Sequence, residues 1–103
     1  MRKITLYIGL NDKASKMQEV STLDAYKIVG NMVGHDCTIT EGRGYYTHAD
    51  GTIVYEVSLI VEVLDFDGTI TREAIIDKCA EIKQALNQEA VAVQVQEVQS
   101  ELI

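Results

Sequence analysis

Residues 53–64 read IVYEVSLIVEVL, and this stretch decides the fold. Every second residue from Ile53 to Val63 is aliphatic or aromatic, whereas the residues between them mix apolar, acidic and hydroxyl side chains. A period of two residues is typical of a β-strand, whose side chains point alternately to the two faces of a sheet. Because the apolar face is unbroken over the whole stretch, the sequence predicts a central strand here.

A tight turn is predicted immediately before this strand. Asp50-Gly51 separates it from a second extended run that starts at Cys37, and glycine accepts the positive φ that such turns require. The sequence therefore predicts a β-hairpin over residues 37–64, with a short loop at residues 47–52.

The first third of the chain predicts a strand, a long loop and a helix. Residues 3–10 alternate between apolar and more polar side chains, as a half-buried strand does. Residues 11–20 show no sustained period, and a loop of about ten residues is longer than the usual connection of about four to six. Ser21 is a suitable N-cap and Gly34 a suitable helix terminator, so a helix is predicted over residues 22–33.

The last third of the chain predicts a second helix and a final strand. Thr71 can cap this helix, and apolar residues recur at helical spacing from Ile75 to Leu86. The helix is expected to end near Asn87. Valines at alternate positions between residues 91 and 95 then predict a short strand.

The element order β-α-β-β-α-β predicts an α+β, ferredoxin-like fold in a single domain that spans residues 1–103. Right-handed crossovers place both helices on one face of an antiparallel sheet with the strand order 4-1-3-2. The residues expected on the helix-covered face are Ile4, Leu6, Ile8, Val57, Leu59, Val61, Val91 and Val93.

The opposite face of the predicted sheet has a mixed composition. It is too apolar for a fully solvated surface and too polar for a second core, so we expect another copy of the chain to cover part of it. The sequence therefore predicts a homo-oligomer in which these faces meet. The residues expected on this face are Thr5, Tyr7, Val54, Glu56, Ser58, Ile60, Glu62 and Gln94.

The chain is acidic, with 16 Asp and Glu residues against 9 Lys and Arg residues and a formal charge of −7. Binding to nucleic acid without sequence preference needs a surplus of bases, and so does binding to an anionic membrane surface. We therefore expect no nonspecific nucleic-acid binding and no membrane attachment. The charge is unevenly placed, because residues 1–34 carry a net +2 and residues 35–103 a net −9.

Residues 38–46, TITEGRGYY, and residues 56–63, EVSLIVEV, together resemble the second and third strands of PII-like signalling proteins. The resemblance continues, at the level of pattern, through the second helix and the last strand. It implies a trimer that binds a nucleotide or another small anionic ligand in clefts between subunits. The loop at residues 47–52 is shorter than the protruding loop of true PII proteins, so the resemblance does not extend to their recognition of ATP and 2-oxoglutarate.

A second resemblance rests on residues 4–10, ITLYIGL, and on the turn Asp50-Gly51-Thr52. These segments are similar to a family of small, uncharacterised bacterial and phage-associated proteins. This resemblance implies no established activity.

The densest candidate binding segment runs from Glu41 to His48. Glycines let a backbone approach a ligand, arginine can hold a phosphate or carboxylate through two hydrogen bonds, and tyrosines can stack on a base. Lysines of the 11–20 loop could complete a local positive cleft. The alternative interpretations are a bulged strand edged by tyrosines, and a solvated loop. The candidate ligand-binding residues are Lys13, Lys16, Gly42, Arg43, Gly44, Tyr45, Tyr46 and His48.

The sequence shows no recognisable catalytic pattern. Glu56 and Glu62 share a strand face but lie roughly 20 Å apart, too far for an acid–base pair. Neither His35 nor His48 has a Ser, Cys or acidic partner at a recognisable spacing, and Ser58 lies within a strand. We therefore expect no catalytic residue, no metal and no cofactor.

Three hypotheses about function follow from the sequence. The main prediction is a PII-like oligomer that is not an enzyme, with a trimer favoured, which binds a small anionic ligand such as a nucleotide at subunit junctions. The alternative is a phage or mobile-element protein that inhibits a host defence factor by binding a basic partner through its acidic surface. A third option is an enzyme whose site forms only between subunits. The expected location is the cytoplasm, that of the host for a phage protein, because no segment reads as a signal peptide or a membrane span.

Overall fold

Four strands and two helices make up the computed structural model, which describes residues 1–103. The elements are β1 (Arg2–Gly9), α1 (Thr22–Val33), β2 (Thr38–Thr47), β3 (Ile53–Asp65), α2 (Arg72–Ala85) and β4 (Ala92–Glu97). The strands form one antiparallel sheet in the order β2-β3-β1-β4, which is the predicted order 4-1-3-2 read from the opposite edge. The predicted α+β class, ferredoxin-like element order and sheet order are therefore confirmed.

Strand β3 lies inside the sheet because it pairs with β1 on one side and with β2 on the other. In this register Leu59 lies opposite Ile8, and Val61 lies opposite Leu6. These four side chains are buried beneath the helices. The unbroken apolar face of residues 53–64 thus has the central position that its pattern predicts.

The turn between β2 and β3 has the predicted place and length. Gly51 adopts a φ of 87°, a conformation that glycine reaches without a steric penalty. The His48 amide donates to the Thr52 carbonyl at 2.8 Å and closes the turn. Asp50 accepts a hydrogen bond from the Thr52 amide at 2.9 Å.

Side-chain caps set the start of both helices. The Ser21 hydroxyl accepts a hydrogen bond from the Asp24 amide at 3.1 Å, and the Thr71 hydroxyl accepts one from the Ala74 amide at 3.1 Å. Each of these bonds satisfies a backbone donor that has no partner inside its helix. Gly34 ends α1 in the left-handed conformation, so the predicted boundaries of this helix are confirmed.

Twelve buried aliphatic residues form one core between the sheet and the helices. Val29 of α1 and Ile82 of α2 are both fully buried in it. Val93 lies opposite Leu6 on the helix side, as predicted, but it is 41% exposed and does not belong to the buried core. Val93 faces the helix side, but β4 is an edge strand and α2 leaves a groove of about 680 Å³ along it.

The end of β3 is held by a partly buried ion pair between Arg2 and Asp65. The Arg2 guanidinium donates to the Asp65 carboxylate at 2.8 Å, and the amides of Thr69 and Ile70 donate to the same carboxylate at 3.2 Å. Burial opposes ionisation of Asp65, but these hydrogen bonds outweigh it and hold its pKa below the ordinary value. The ion pair therefore fixes the connection between β3 and α2.

Neither helix has the length and apolar character needed to cross a lipid bilayer.

Candidate functional site

The helices cover one face of the sheet and leave the other uncovered. We call the uncovered side the open face and the covered side the helix side. The register puts the residues of the mixed face predicted from the sequence on the open face. The central residues of the open face are Thr5, Tyr7, Gly42, Gly44, Tyr46, Glu56, Ser58, Ile60 and Glu62.

The candidate binding run of β2 is divided between the two sides of the sheet. Gly42 and Gly44 lie opposite Ser58 and Glu56 on the open face, whereas Arg43 lies opposite Val57 on the helix side. Successive side chains of a strand point to opposite faces, so these residues cannot contact one ligand together within one chain. This separation follows from the alternation of the sequence itself.

The two adjacent tyrosines are divided in the same way. Tyr45 points to the helix side, where its ring lies 5.3 Å from that of Tyr55, and both rings are exposed. Tyr46 points to the open face, where it shares a 3.0 Å hydrogen bond with the Ser58 hydroxyl. An added Cβ at Gly44 would stand 3.0 to 3.3 Å from the Tyr46 ring. Gly44 therefore lets this ring lie close to the strand.

Glu56 is the one buried carboxylate on the open face. One of its oxygens accepts a hydrogen bond from the Asn11 backbone amide at 2.8 Å. Its carboxylate lies across Gly9, in the space that a side chain at residue 9 would otherwise occupy. The backbone of β1 thus provides a seat that holds this carboxylate in position on an uncovered surface.

From the sequence, Glu56 is a residue of the mixed face that lies too far from Glu62 for an acid–base pair. The available signal for its position was an acidic residue in the middle of a predicted central strand, together with a glycine at the end of the neighbouring strand. The seat itself depends on Asn11, which is 45 positions away in the sequence. Only the sheet register brings the two residues together.

The open face is acidic and rich in hydroxyl groups. Tyr7 shares a 3.3 Å hydrogen bond with the Gln94 side chain, and Thr5 and Ser58 are buried between the larger residues. Lys3 is the one basic residue that the strands place on this face, and it lies opposite Leu64 at one end. A face of this composition is suited to a positively charged ligand rather than to an anionic one.

Two other candidate residues belong to a junction at the hairpin tip. The His48 ring is 8% exposed, and its Nδ1 lies 3.1 Å from a carboxylate oxygen of Glu89. Lys16 lies 3.6 Å from Asp50 and 3.7 Å from Glu89. Desolvation opposes ionisation of Glu89, but the Ala49 amide, His48 and Lys16 together hold its pKa below the ordinary value. His48 therefore connects the hairpin tip to the α2–β4 loop, and Lys16 connects the β1–α1 loop to both.

Lys13, Lys16 and Arg43, which are predicted from the sequence to form a positive cleft, have different partners within one chain. Lys16 is already paired with carboxylates, and Arg43 lies on the helix side of the hairpin. The backbone amide of Lys13 donates to the Asn87 carbonyl at 2.9 Å, while its side chain is exposed. The Lys16 ammonium donates to the Lys13 carbonyl at 3.0 Å, whereas Arg43 lies on the helix side of β2.

A cleft of about 520 Å³ lies at the other end of the open face, and its lining includes Thr38, Glu62, Leu64 and Phe66. This volume falls within the range of about 300–1,000 Å³ that is usual for small-molecule sites. Cys37 also lines the cleft. The pKa of its thiol is raised mainly by burial and to a lesser extent by the negative charge of the neighbouring Asp36.

Comparisons with known proteins relate this fold to an enzyme. No known family model matches the chain, and it has no significant match among curated proteins. Among solved structures it is similar to a phage SAM lyase in the apo state, with a TM-score of 0.66 and 24% identity over 92% of this chain and 78% of that chain. It is also similar to a phage SAM lyase in complex with S-methyl-5′-thioadenosine, with a TM-score of 0.69 and 24% identity over 93% of this chain and 80% of that chain.

These likenesses show the shared fold, and they correct two predictions. The similar structures are those of an enzyme, which contradicts both the PII-like binding of an anionic ligand and the expectation that the chain is not an enzyme. They agree with the resemblance to phage-associated proteins and favour the phage alternative over the main prediction. The PII-like resemblance itself is not confirmed.

Proposed function

We propose that the chain is a phage-type enzyme that cleaves S-adenosylmethionine and releases S-methyl-5′-thioadenosine. The observation that carries this proposal is the Glu56 carboxylate, buried on the open face and held there by the Asn11 amide. The fold shared with a phage SAM lyase supports it. The acidic character of the open face also supports it, because the substrate carries two positive groups, a sulfonium and an ammonium.

The reaction breaks the bond between the sulfonium sulfur and the γ-carbon of the methionine part. The electron pair of this bond remains on sulfur, which gives the neutral thioether S-methyl-5′-thioadenosine. The four-carbon fragment is completed either by attack of its own carboxylate on the γ-carbon or by loss of a proton from the β-carbon to water. Both routes conserve all atoms without incorporating water, and both give the same thioether.

The charge changes of this reaction suggest where Glu56 acts. The positive charge on sulfur disappears in the transition state, so an anion beside it would stabilise the substrate more than the transition state. The ammonium charge persists throughout the reaction. We therefore assign Glu56 to the ammonium group, where a charged hydrogen bond contributes about 1.5–3 kcal/mol to binding. Tyr46, with its ring 40% exposed, is assigned to stacking on the adenine, beside Gly42 and Gly44.

An oligomer would complete this site. Tyr7, Tyr46 and Ile60 are only partly covered on the open face, and a second copy packed there would exclude water from the substrate. We retain the predicted homo-oligomer, with a trimer favoured, as part of the proposal. A host-cytoplasmic location also fits, since S-adenosylmethionine is made there.

The test is the release of S-methyl-5′-thioadenosine from S-adenosylmethionine, measured by liquid chromatography with mass detection against a blank without protein. Glu56→Gln keeps an acceptor for the Asn11 amide but removes the charge, so we expect kcat/KM to fall about ten- to hundredfold. Glu41→Gln, on the same hairpin but facing the helix side, is the matched control. A folded wild-type protein that releases no more thioether than the blank would refute the proposal.

The acidic-surface alternative has its own supporting observation, the net −9 of residues 35–103. Under that alternative the chain would act on a host by binding alone. Glu56→Gln would then inhibit the host factor as well as the wild type does, whereas a SAM-cleaving protein would lose its effect with its catalytic activity.

A further inference from the structure

Glu56 is linked by hydrogen bonds to a loop on the far side of β1. Gln88, in the loop between α2 and β4, is 6% exposed, and its side-chain amide donates to the Asn11 carbonyl at 2.9 Å. The backbone amide of Asn11 donates in turn to Glu56 at 2.8 Å. Asn11 therefore lies between the two side chains: its carbonyl is held by Gln88, and its amide holds the carboxylate of Glu56.

Asn11 occupies the point at which β1 leaves the sheet. The preceding residue, Leu10, still donates its amide to the Val57 carbonyl at 3.0 Å, as a paired strand does. At Asn11 the amide turns to the Glu56 side chain, and only the Asn11 side chain reaches the β3 backbone, at 3.3 Å from the Tyr55 carbonyl. The ladder with β3 ends here, and the backbone is held instead by a bridge between Asn11 and Gln18 and by side-chain contacts such as that from Gln88.

The neighbours of Gln88 tie the same loop to other parts of the site. The Asn87 side chain donates to Asp12 at 2.8 Å, and Glu89 accepts the Ala49 amide at 3.0 Å. Three consecutive residues thus hold the start of the β1–α1 loop and the tip of the β2–β3 hairpin. Gln88 is the one of the three whose contact leads directly to Glu56.

We propose that Gln88 is a positioning residue for the reaction assigned to the open face, acting through Asn11 on the carboxylate of Glu56. This inference rests on the proposed function. Gln88 touches no substrate, so its loss leaves the chemistry available but misplaces the group that orients the substrate. A misplacement of about 1 Å can lower a rate about a hundredfold. For Gln88→Met, which removes the donor and keeps the length of the side chain, we expect kcat/KM to fall about tenfold or more.

A double-mutant cycle separates this role from a structural one. If Gln88 acts through Glu56, the double variant Gln88→Met with Glu56→Gln should be no slower than Glu56→Gln alone. Multiplying losses would overturn the proposal, as would a Gln88→Met protein that is less stable but unchanged in kcat/KM. Gln84→Met, at an exposed position near the end of α2, is the matched control and should change neither quantity.

A second measurement does not require catalysis. In the ¹⁵N–¹H correlation spectrum the Asn11 amide, bonded to a carboxylate, should move in Gln88→Met and in Glu56→Gln, but not in Gln84→Met. If the wild type does not cleave S-adenosylmethionine and these shifts occur, the proposed function fails while the link from Gln88 to Glu56 stands. An Asn11 resonance that is unmoved in folded Gln88→Met overturns the link. Gln88→Asn, with an amide one methylene shorter, provides the same test if the methionine variant does not fold.

Discussion

Gly9 of β1 lies directly beneath the carboxylate of Glu56, so closely that a Cβ on residue 9 would stand 2.4 Å from one carboxylate oxygen. Real Cβ atoms do not approach other atoms to this distance, and the flexible glutamate side chain is the part that would move. Gly9→Ala therefore displaces Glu56 without changing its chemistry. We expect the release of S-methyl-5′-thioadenosine to fall about tenfold or more, while the melting temperature changes by only a few degrees. A variant with the full rate of release would show that the position of Glu56 does not matter.

Gly30→Ala is the matched control, because it makes the same substitution in α1, away from Glu56 and the open face. Gly30 lies within α1, and its nearest neighbour would be Ile39 at an ordinary contact distance of 3.9 Å. Alanine favours a helix interior over glycine by about 0.5–1 kcal/mol. We expect the free energy of unfolding in urea to rise by about this amount with no change in the rate of thioether release. A loss of stability would indicate that α1 packs more closely on the sheet at this position than the 3.9 Å contact indicates.

Tyr46 and Arg43 should respond differently to substitution because they lie on opposite faces of β2. Removal of a stacking aromatic ring weakens base binding by about 1–3 kcal/mol, so we expect Tyr46→Ala to raise KM about fivefold or more. Arg43→Ala should leave KM within about twofold of the wild type, since changes at exposed sites outside a binding surface are small. The reverse result would place the binding surface on the helix side.

Asp65 makes stability dependent on acid pH. The pKa of this carboxyl in the folded protein is below its ordinary value of 3.8, so the unfolded chain binds a proton first as the pH falls. The stabilisation is present above pH 3.8 and is lost as the pH falls through the lower folded value. We expect the free energy of unfolding in urea to be clearly higher for the wild type than for Asp65→Asn at neutral pH. Well below pH 3.8 the difference should be much smaller. Asp77→Asn, at an exposed position, controls for the change in net charge. If the wild type and Asp65→Asn differed in stability by the same amount at both pH values, the lowered pKa of Asp65 would be contradicted.

The open face should determine the oligomeric state. Native mass spectrometry of the wild type should show a homo-oligomer, with a trimer favoured. Ile60→Glu places a charge in the middle of the open face and should give a monomer with little thioether release, because burial of an unpaired charge is unfavourable. A wild-type monomer with full activity would remove the oligomer from the proposal.

The fold could be predicted from the sequence because its signals are local. The alternation of residues 53–64, the Asp50-Gly51 turn and the cap at Ser21 each depend on neighbours in the chain. The split between Arg43 and Tyr46 could also have been read from the same alternation. The dense succession of glycine, arginine and tyrosine was interpreted instead as one binding segment, although residues three apart in a strand face opposite ways.

The centre of the candidate site could not be predicted in this way. Glu56 is seated by Gly9 and Asn11, and Gln88 supports that seat from another loop. These contacts depend on the exact pairing of β1 with β3 and on where the α2–β4 loop ends. A pattern of hydrophobic residues specifies which face a strand buries, but it does not specify which backbone amide a distant carboxylate meets.

The half-covered strand β4 has a consequence for handling the protein. Val93 and Val95 are 41% and 47% exposed beside a sheet edge that no other strand occupies. Unprotected edges of this kind recruit extended segments of other molecules, and natural proteins often block them with a lysine. Val95→Lys would place a lysine beside the groove, on the helix side of the sheet and therefore on the face opposite Glu56. We expect this variant to keep concentrated samples free of aggregates without changing the site.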